Sequence, residues 1–79
     1  MTMGEQMVMA KELSTKKPTL RELEVLTKIA NGLEYTEISR QLCITPRTVK
    51  HHTASLLRKL AARNRAHLIA IAFRSNYLQ

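Results

Sequence analysis

"ITPRTVKHHTASLLRKL", residues 44–60, carries an apolar stripe and a basic stripe on what reads as a single helix. Thr45 can cap that helix through its hydroxyl, and Pro46 suits the first helical position, where a missing N–H is no loss. At about 100° per residue, Val49, Thr53, Leu56, Leu57 and Leu60 fall within an arc of roughly 100°, the expected core face. Arg47, His51, Ala54 and Arg58 gather on the far side, with Lys50 and Ser55 on its flanks. The chemistry of that far face suits a DNA groove. Arg and Lys donate to guanine or phosphate, His donates or accepts, and Ala54 allows close approach or meets a thymine methyl.

The residues upstream agree with this reading. A shorter helix is expected from Tyr35 to Leu42, with Ile38 and Leu42 one turn apart on its buried side. A tight connection around Cys43 and Ile44 then leads into the longer helix, an arrangement that lets the second helix enter the major groove N-terminus first. Free N–H groups and the positive helix end at Thr45 to Thr48 would also favour a backbone phosphate.

Two further helices complete the domain. Thr19 and Glu22 spell the T-x-x-E capping box, Leu23, Leu26, Ile29, Ala30 and Leu33 recur at helical spacing, and Asn31-Gly32 supplies a stop. Asn64 caps a last helix running through "RAHLIAIAFRSN" to near Tyr77. No alternating β-branched run calls for a strand. The expectation is an all-α, four-helix domain over residues 18–79, preceded by a Met-rich, polar, flexible arm over residues 1–17 that Lys16, Lys17 and Pro18 close off.

Composition narrows the function. The chain has 79 residues, enough for one modest core and too few for a deep cleft between two layers. Thirteen Lys and Arg face six Glu, a net charge of +7, and all six acids lie within the first 37 residues. From residue 38 onward Arg40, Arg47, Lys50, Arg58, Lys59, Arg63, Arg65 and Arg74 stand without any acid, whereas a merely solvated surface intersperses both signs. A polyanion is the partner this implies.

Other classes fare worse. No apolar run nears the roughly 18 residues of a spanning helix, and the N-terminus lacks the layout of a signal peptide, so a cytoplasmic protein without a membrane role is expected. Cys43 is the one cysteine, sits between Leu42 and Ile44, and reads as a small core residue. A metal site from Cys43, His51, His52 and His67 fails on spacing, because adjacent His51 and His52 point about 100° apart on a helix. Paired carboxylates, a glycine-rich loop and any Asp are missing, so neither an enzyme nor a cofactor is expected.

The blocks "LRELEVLTKIANGL", "TEISRQL", "ITPRTVKHHTASLLRKL" and "RNRAHLIAIA" resemble, in order and register, the LuxR/GerE-type helix-turn-helix family. The resemblance runs from Pro18 to about Phe73, and Arg21-Glu22, Glu24-Val25-Leu26, Gly32-Leu33, Glu37-Ile38, Thr48-Val49-Lys50, His52, Lys59-Leu60 and Arg65-Ala66 all match its pattern. It implies a DNA-binding domain of bacterial transcription regulators, with the third helix in the major groove and the fourth forming a twofold dimer contact. By that likeness Lys50, His51 and Ala54 are the base-reading positions, while Thr45, Arg47, Thr48, His52, Arg58 and Lys59 fall where backbone contacts are usual. Ser55, on the flank of the basic face, is grouped with the backbone contacts; His52 and Lys59 lie near the core edge and should graze phosphate.

Three positions depart from the family pattern. Glu34 replaces the usual Ser at the start of helix two, a poor cap and a repulsive charge near phosphate. Ala61 replaces the usual Gly after helix three and must either extend the helix or bear a left-handed conformation at a cost of about 1 kcal/mol. Ala54 lacks the donor that some relatives carry as Lys.

On helix four, Ala66, Ile69 and Phe73 are expected to meet the core, which leaves Leu68 and Ile71 in water. Leu68, Ile71 and Ser75 are therefore the expected contacts of a weak homodimer reading two half-sites one helical turn apart. The functional expectation is sequence-specific binding of double-stranded DNA and regulation of bacterial transcription, at the nucleoid, with RNA polymerase as a further partner. The alternative is a protein-interaction module, or anti-regulator, whose basic helix or Met-rich arm captures another regulator or a polymerase subunit. The methionine start, with no receiver or ligand-binding domain beside it, leads one to expect a free-standing regulator.

Overall fold

The computed structural model describes residues 17–79; the arm expected over residues 1–17 lies, apart from Lys17, outside the described residues. Among the described residues four helices follow one another, α1 (Leu20–Ala30), α2 (Tyr35–Leu42), α3 (Pro46–Lys59) and α4 (Arg65–Arg74), with no strand.

Each helix starts where a side chain can satisfy a free N–H. The Thr19 hydroxyl accepts from the Glu22 N–H at 3.1 Å and the Glu22 carboxylate accepts from the Thr19 N–H at 2.8 Å, a complete capping box. Thr45 Oγ1 accepts from the Thr48 N–H at 3.1 Å, and Asn64 Oδ1 from the His67 N–H at 2.8 Å. At the weak cap foreseen for α2, the Glu37 carboxylate compensates by accepting from the Glu34 N–H at 2.9 Å.

All four helices end in the same way. Gly32, Cys43, Ala61 and Asn76 take left-handed backbone, with φ of 85°, 57°, 53° and 63°. After each, the next residue's N–H reaches back five positions: Leu33 to Lys28 O at 3.1 Å, Ile44 to Ser39 O at 2.9 Å, Ala62 to Leu57 O at 2.9 Å and Tyr77 to Ala72 O at 2.8 Å. Gly32 adopts this conformation without a Cβ penalty; Cys43 and Ala61 do not. Ala61 thus ends α3 in the strained form. Cys43 is exposed, contrary to its expected place in the core: closing α2 turns its side chain outward and leaves Ile44 to pack inside.

Two apolar clusters hold the helices together. Val25, Ile38 and Val49 form the smaller one, joining α1 to the α2–α3 pair, with Ile29, Leu33, Tyr35, Leu42 and Ile44 packed around it. Leu26, Leu56, Leu68, Ala72 and Leu78 form the larger one, where α3 and α4 meet α1. Thr53 is buried between them on α3, its hydroxyl donating to Val49 O at 2.9 Å, so the stripe expected on α3 faces inward. Leu57 and Leu60 only flank the larger cluster. Polar ties reinforce the arrangement: Lys28 Nζ donates to Gln41 Oε1 at 2.7 Å, and the Arg65 guanidinium lies 5.3 Å from the centre of the Tyr35 ring.

The face expected to be buried on α4 is corrected. Leu68 and Ala72 are the fully buried residues, Ile69 and Ile71 are half-buried, and Ala66 and Phe73 are exposed, Phe73 by 47%. The helix is turned by roughly a third of a turn from the expected setting. The cause lies beyond it: after Asn76 the chain folds back and places Leu78 against Leu68 and Ala72.

Candidate nucleic-acid interface

α3 is anchored by Val49, Thr53 and Leu56, and the geometry of a helix then decides what faces away. Arg47, Lys50, His51, Ala54 and Arg58 are all exposed, forming one continuous outward strip along α3. Thr48, His52, Ser55 and Lys59 are half-buried along its margin, and Thr45 is exposed at its start. Thr45 Oγ1 and Thr48 Oγ1 lie 3.0 Å apart, two hydroxyls beside the first turn of α3. The His51 and His52 rings meet edge to face with centroids 6.5 Å apart.

The strip's electrostatics are one-sided. α2 carries its acidic residue, Glu37, in the first turn, and neither α3 nor α4 contains an acid. Arg58 and Lys59 occupy the last turn of α3, where cations complement the helix dipole. No cluster of three or more metal-ligating side chains occurs among the described residues.

Lys59 is not arranged as the resemblance implied. Its Nζ donates to Glu22 Oε1 at 2.8 Å, with the two side chains only 17% and 6% exposed, so the ammonium points into the molecule rather than out from the strip. Burial pushes the Glu22 carboxyl upward, but the hydrogen bonds from Lys59, Ser55 and the Thr19 N–H, with the Lys59 charge, outweigh it and hold the group at about 2, so the Ser55 hydroxyl, expected at the DNA backbone, also lies on the Glu22 side of α3. Sequence reasoning found Glu22 only as a cap. The two residues are 37 positions apart, and no local pattern connects them.

Of the residues expected at a dimer contact, Leu68 is wholly inside the larger cluster, Ile71 is half-buried and Ser75 is exposed. Leu68 therefore has no surface to offer a partner. The exposed apolar side of α4 is instead Ala66, Ala70 and Phe73, continued by Tyr77 beyond the helix. Phe73 and Tyr77 line an open cleft with Thr27 and Ala30 of α1.

Comparison with known proteins agrees with this architecture. The family described as "Bacterial regulatory proteins, luxR family" matches residues 19–72. The chain is similar to the uncharacterized transcriptional regulatory protein YhcZ of Bacillus subtilis, with 47% identity over 60 residues covering 73% of this chain and 28% of that protein. It is also similar to the response regulator protein VraR of Staphylococcus aureus, with 39% identity over 61 residues covering 77% of this chain and 29% of that protein. The chain thus corresponds to less than a third of the length of each of these relatives. With its described helices capped and packed around an α2–α3 helix-turn-helix, the chain belongs to the LuxR family of bacterial regulatory proteins.

Proposed function

We propose that this domain binds double-stranded DNA in a sequence-selective way and regulates transcription, with α3 lying in the major groove. The observation that carries the reading is the outward strip of Arg47, Lys50, His51, Ala54 and Arg58, unopposed by any acid on α3 or α4. Lys50, His51 and Ala54 are its base readers. Arg47, Arg58, Thr45 and Thr48 hold phosphates, and His52 grazes the groove wall. Membership of a family of regulatory proteins supports the same reading.

The finer proposal is a homodimer through α4, by the exposed side bearing Ala66, Ala70 and Phe73, on an operator with two half-sites. Pairing would cover Phe73 and add the contacts of two small reading heads. The reading sets the protein to work on chromosomal DNA in the bacterial cytoplasm, and no described helix is long and apolar enough to cross a membrane.

Selection of duplexes from a random pool, followed by binding at increasing salt, tests the proposal. A phosphate-dominated complex weakens steeply with salt, with a slope reflecting several released counterions. Failure to enrich any sequence, with a flat salt profile, would transfer the basic strip to capture of an acidic protein partner.

A further inference from the structure

The apolar arc of α3 is broad, because Leu57 and Leu60 flank the larger cluster beside the buried Leu56. A broad apolar face tolerates some roll of a helix about its axis, since apolar contacts are non-directional. One directional contact removes that freedom. Lys59, the last residue of α3, reaches the Glu22 carboxylate in the first turn of α1 at 2.8 Å. Arg58 precedes Lys59 by one position, so a Lys59 side chain drawn toward α1 turns Arg58, and with it Ala54 and His51, outward. Glu22 is itself fixed, because the same Oε1 accepts from the Thr19 N–H at 2.8 Å. The tie therefore begins on a rigid cap and ends on the reading helix.

We infer that Glu22 is a positioning residue for DNA reading: by holding Lys59 it fixes the roll of α3 and sets the direction in which Lys50, His51 and Ala54 face. The inference rests on the DNA-binding reading above and deepens it. A shielded ion pair is a weak source of net stability but a strong source of geometric definition, which suits such a role. Lys59, committed to Glu22, adds no phosphate contact of its own.

The double variant Glu22→Gln with Lys59→Met separates this role from plain stability. Gln keeps an acceptor for the Thr19 N–H, Met keeps the apolar stem, and neither leaves a shielded charge unpaired. The ratio of affinities for a selected duplex and a scrambled one should fall about tenfold, the equivalent of roughly one base contact. The salt slope should stay that of the unaltered chain. In the DNA-free protein, residual dipolar couplings of α3 amides should show the helix rolled relative to α1. Unchanged discrimination overturns the inference whatever the couplings show. A salt slope lowered by about one counterion also overturns it, since Lys59 would then be leaving Glu22 to hold a phosphate. If the unaltered chain selects no duplex, the DNA-binding reading itself falls, and unchanged couplings in the double variant would show separately that the tie does not set the roll.

Discussion

Lys59 Nζ and Glu22 Oε1 stand 2.8 Å apart across the seam between the end of α3 and the start of α1. One carboxylate thereby closes the capping box of α1 and pairs with a cation contributed by a helix 37 residues away. A local signal for helix initiation and a tertiary contact share the same oxygen. Loss of the Glu22 charge should therefore be felt at both places.

Acid titration should expose this directly. Burial alone would raise the Glu22 pKa, but its hydrogen bonds and the Lys59 charge bring it from 4.5 to about 2. Between those values the unfolded chain binds a proton that the folded one refuses. The contribution of the Glu22 charge, relative to its protonated form, is thus complete above about pH 4.5 and lost as pH falls toward about 2. Urea unfolding across that range should show the loss in the unaltered chain. In Glu22→Gln the corresponding slope should be missing, and equal slopes in both would show that other carboxylates govern acid unfolding.

Ala61→Gly should stabilise the domain. Ala61 holds φ at 53°, where its Cβ is penalised, and the N–H of Ala62 must still reach Leu57 O to close α3. Glycine removes the penalty but adds freedom to the unfolded chain, leaving a net gain of about 0.5–1 kcal/mol. For a domain of this size that is a rise in Tm of roughly 2–8 °C. A lower Tm would mean that the Ala61 methyl makes a packing contribution larger than its backbone strain.

What could be read from the sequence and what could not differ in physical kind. Helix starts were legible because Thr19, Thr45 and Asn64 act within a few residues of themselves. The phase of α3 was legible because Val49, Thr53 and Leu56 contrast sharply with Arg47, Lys50 and Arg58 around the helix. α4 offers no such contrast: positions 68–73 are apolar without interruption, so periodicity alone cannot orient it, and the deciding contact comes from Leu78 after the chain has turned. The inward course of Lys59 depends likewise on a distant partner. Cys43 followed a third rule, with backbone conformation at the helix end overriding its apolar neighbours.

Two substitutions on α4 should separate folding from association. Leu68→Ala empties a site with no exposed surface and should cost about 2–5 kcal/mol, seen as a lowered urea midpoint with an unchanged m-value. Phe73→Glu changes a side chain that is 47% exposed, so helix content should hold while self-association is lost in sedimentation and Tm no longer rises with protein concentration. An unchanged sedimentation profile for a chain that does dimerise would move the interface off this side of α4.

The outward strip of α3 makes the last and most direct prediction, because its residues divide by what they can reach. Lys50→Ala and His51→Ala remove groups proposed to meet base edges, so each should lower the preference for a selected duplex over a scrambled one by about 1–3 kcal/mol per contact. Arg58→Ala removes a cation proposed to meet phosphate, so it should weaken all duplexes alike and reduce the salt slope by about one. All three side chains are exposed, so circular dichroism and Tm should match the unaltered chain, and any change in binding is then attributable to the surface itself. The pattern matters more than any single loss. If Arg58→Ala relaxed sequence preference while Lys50→Ala weakened every duplex equally, α3 would lie in the groove rolled away from the orientation that the Glu22–Lys59 tie implies.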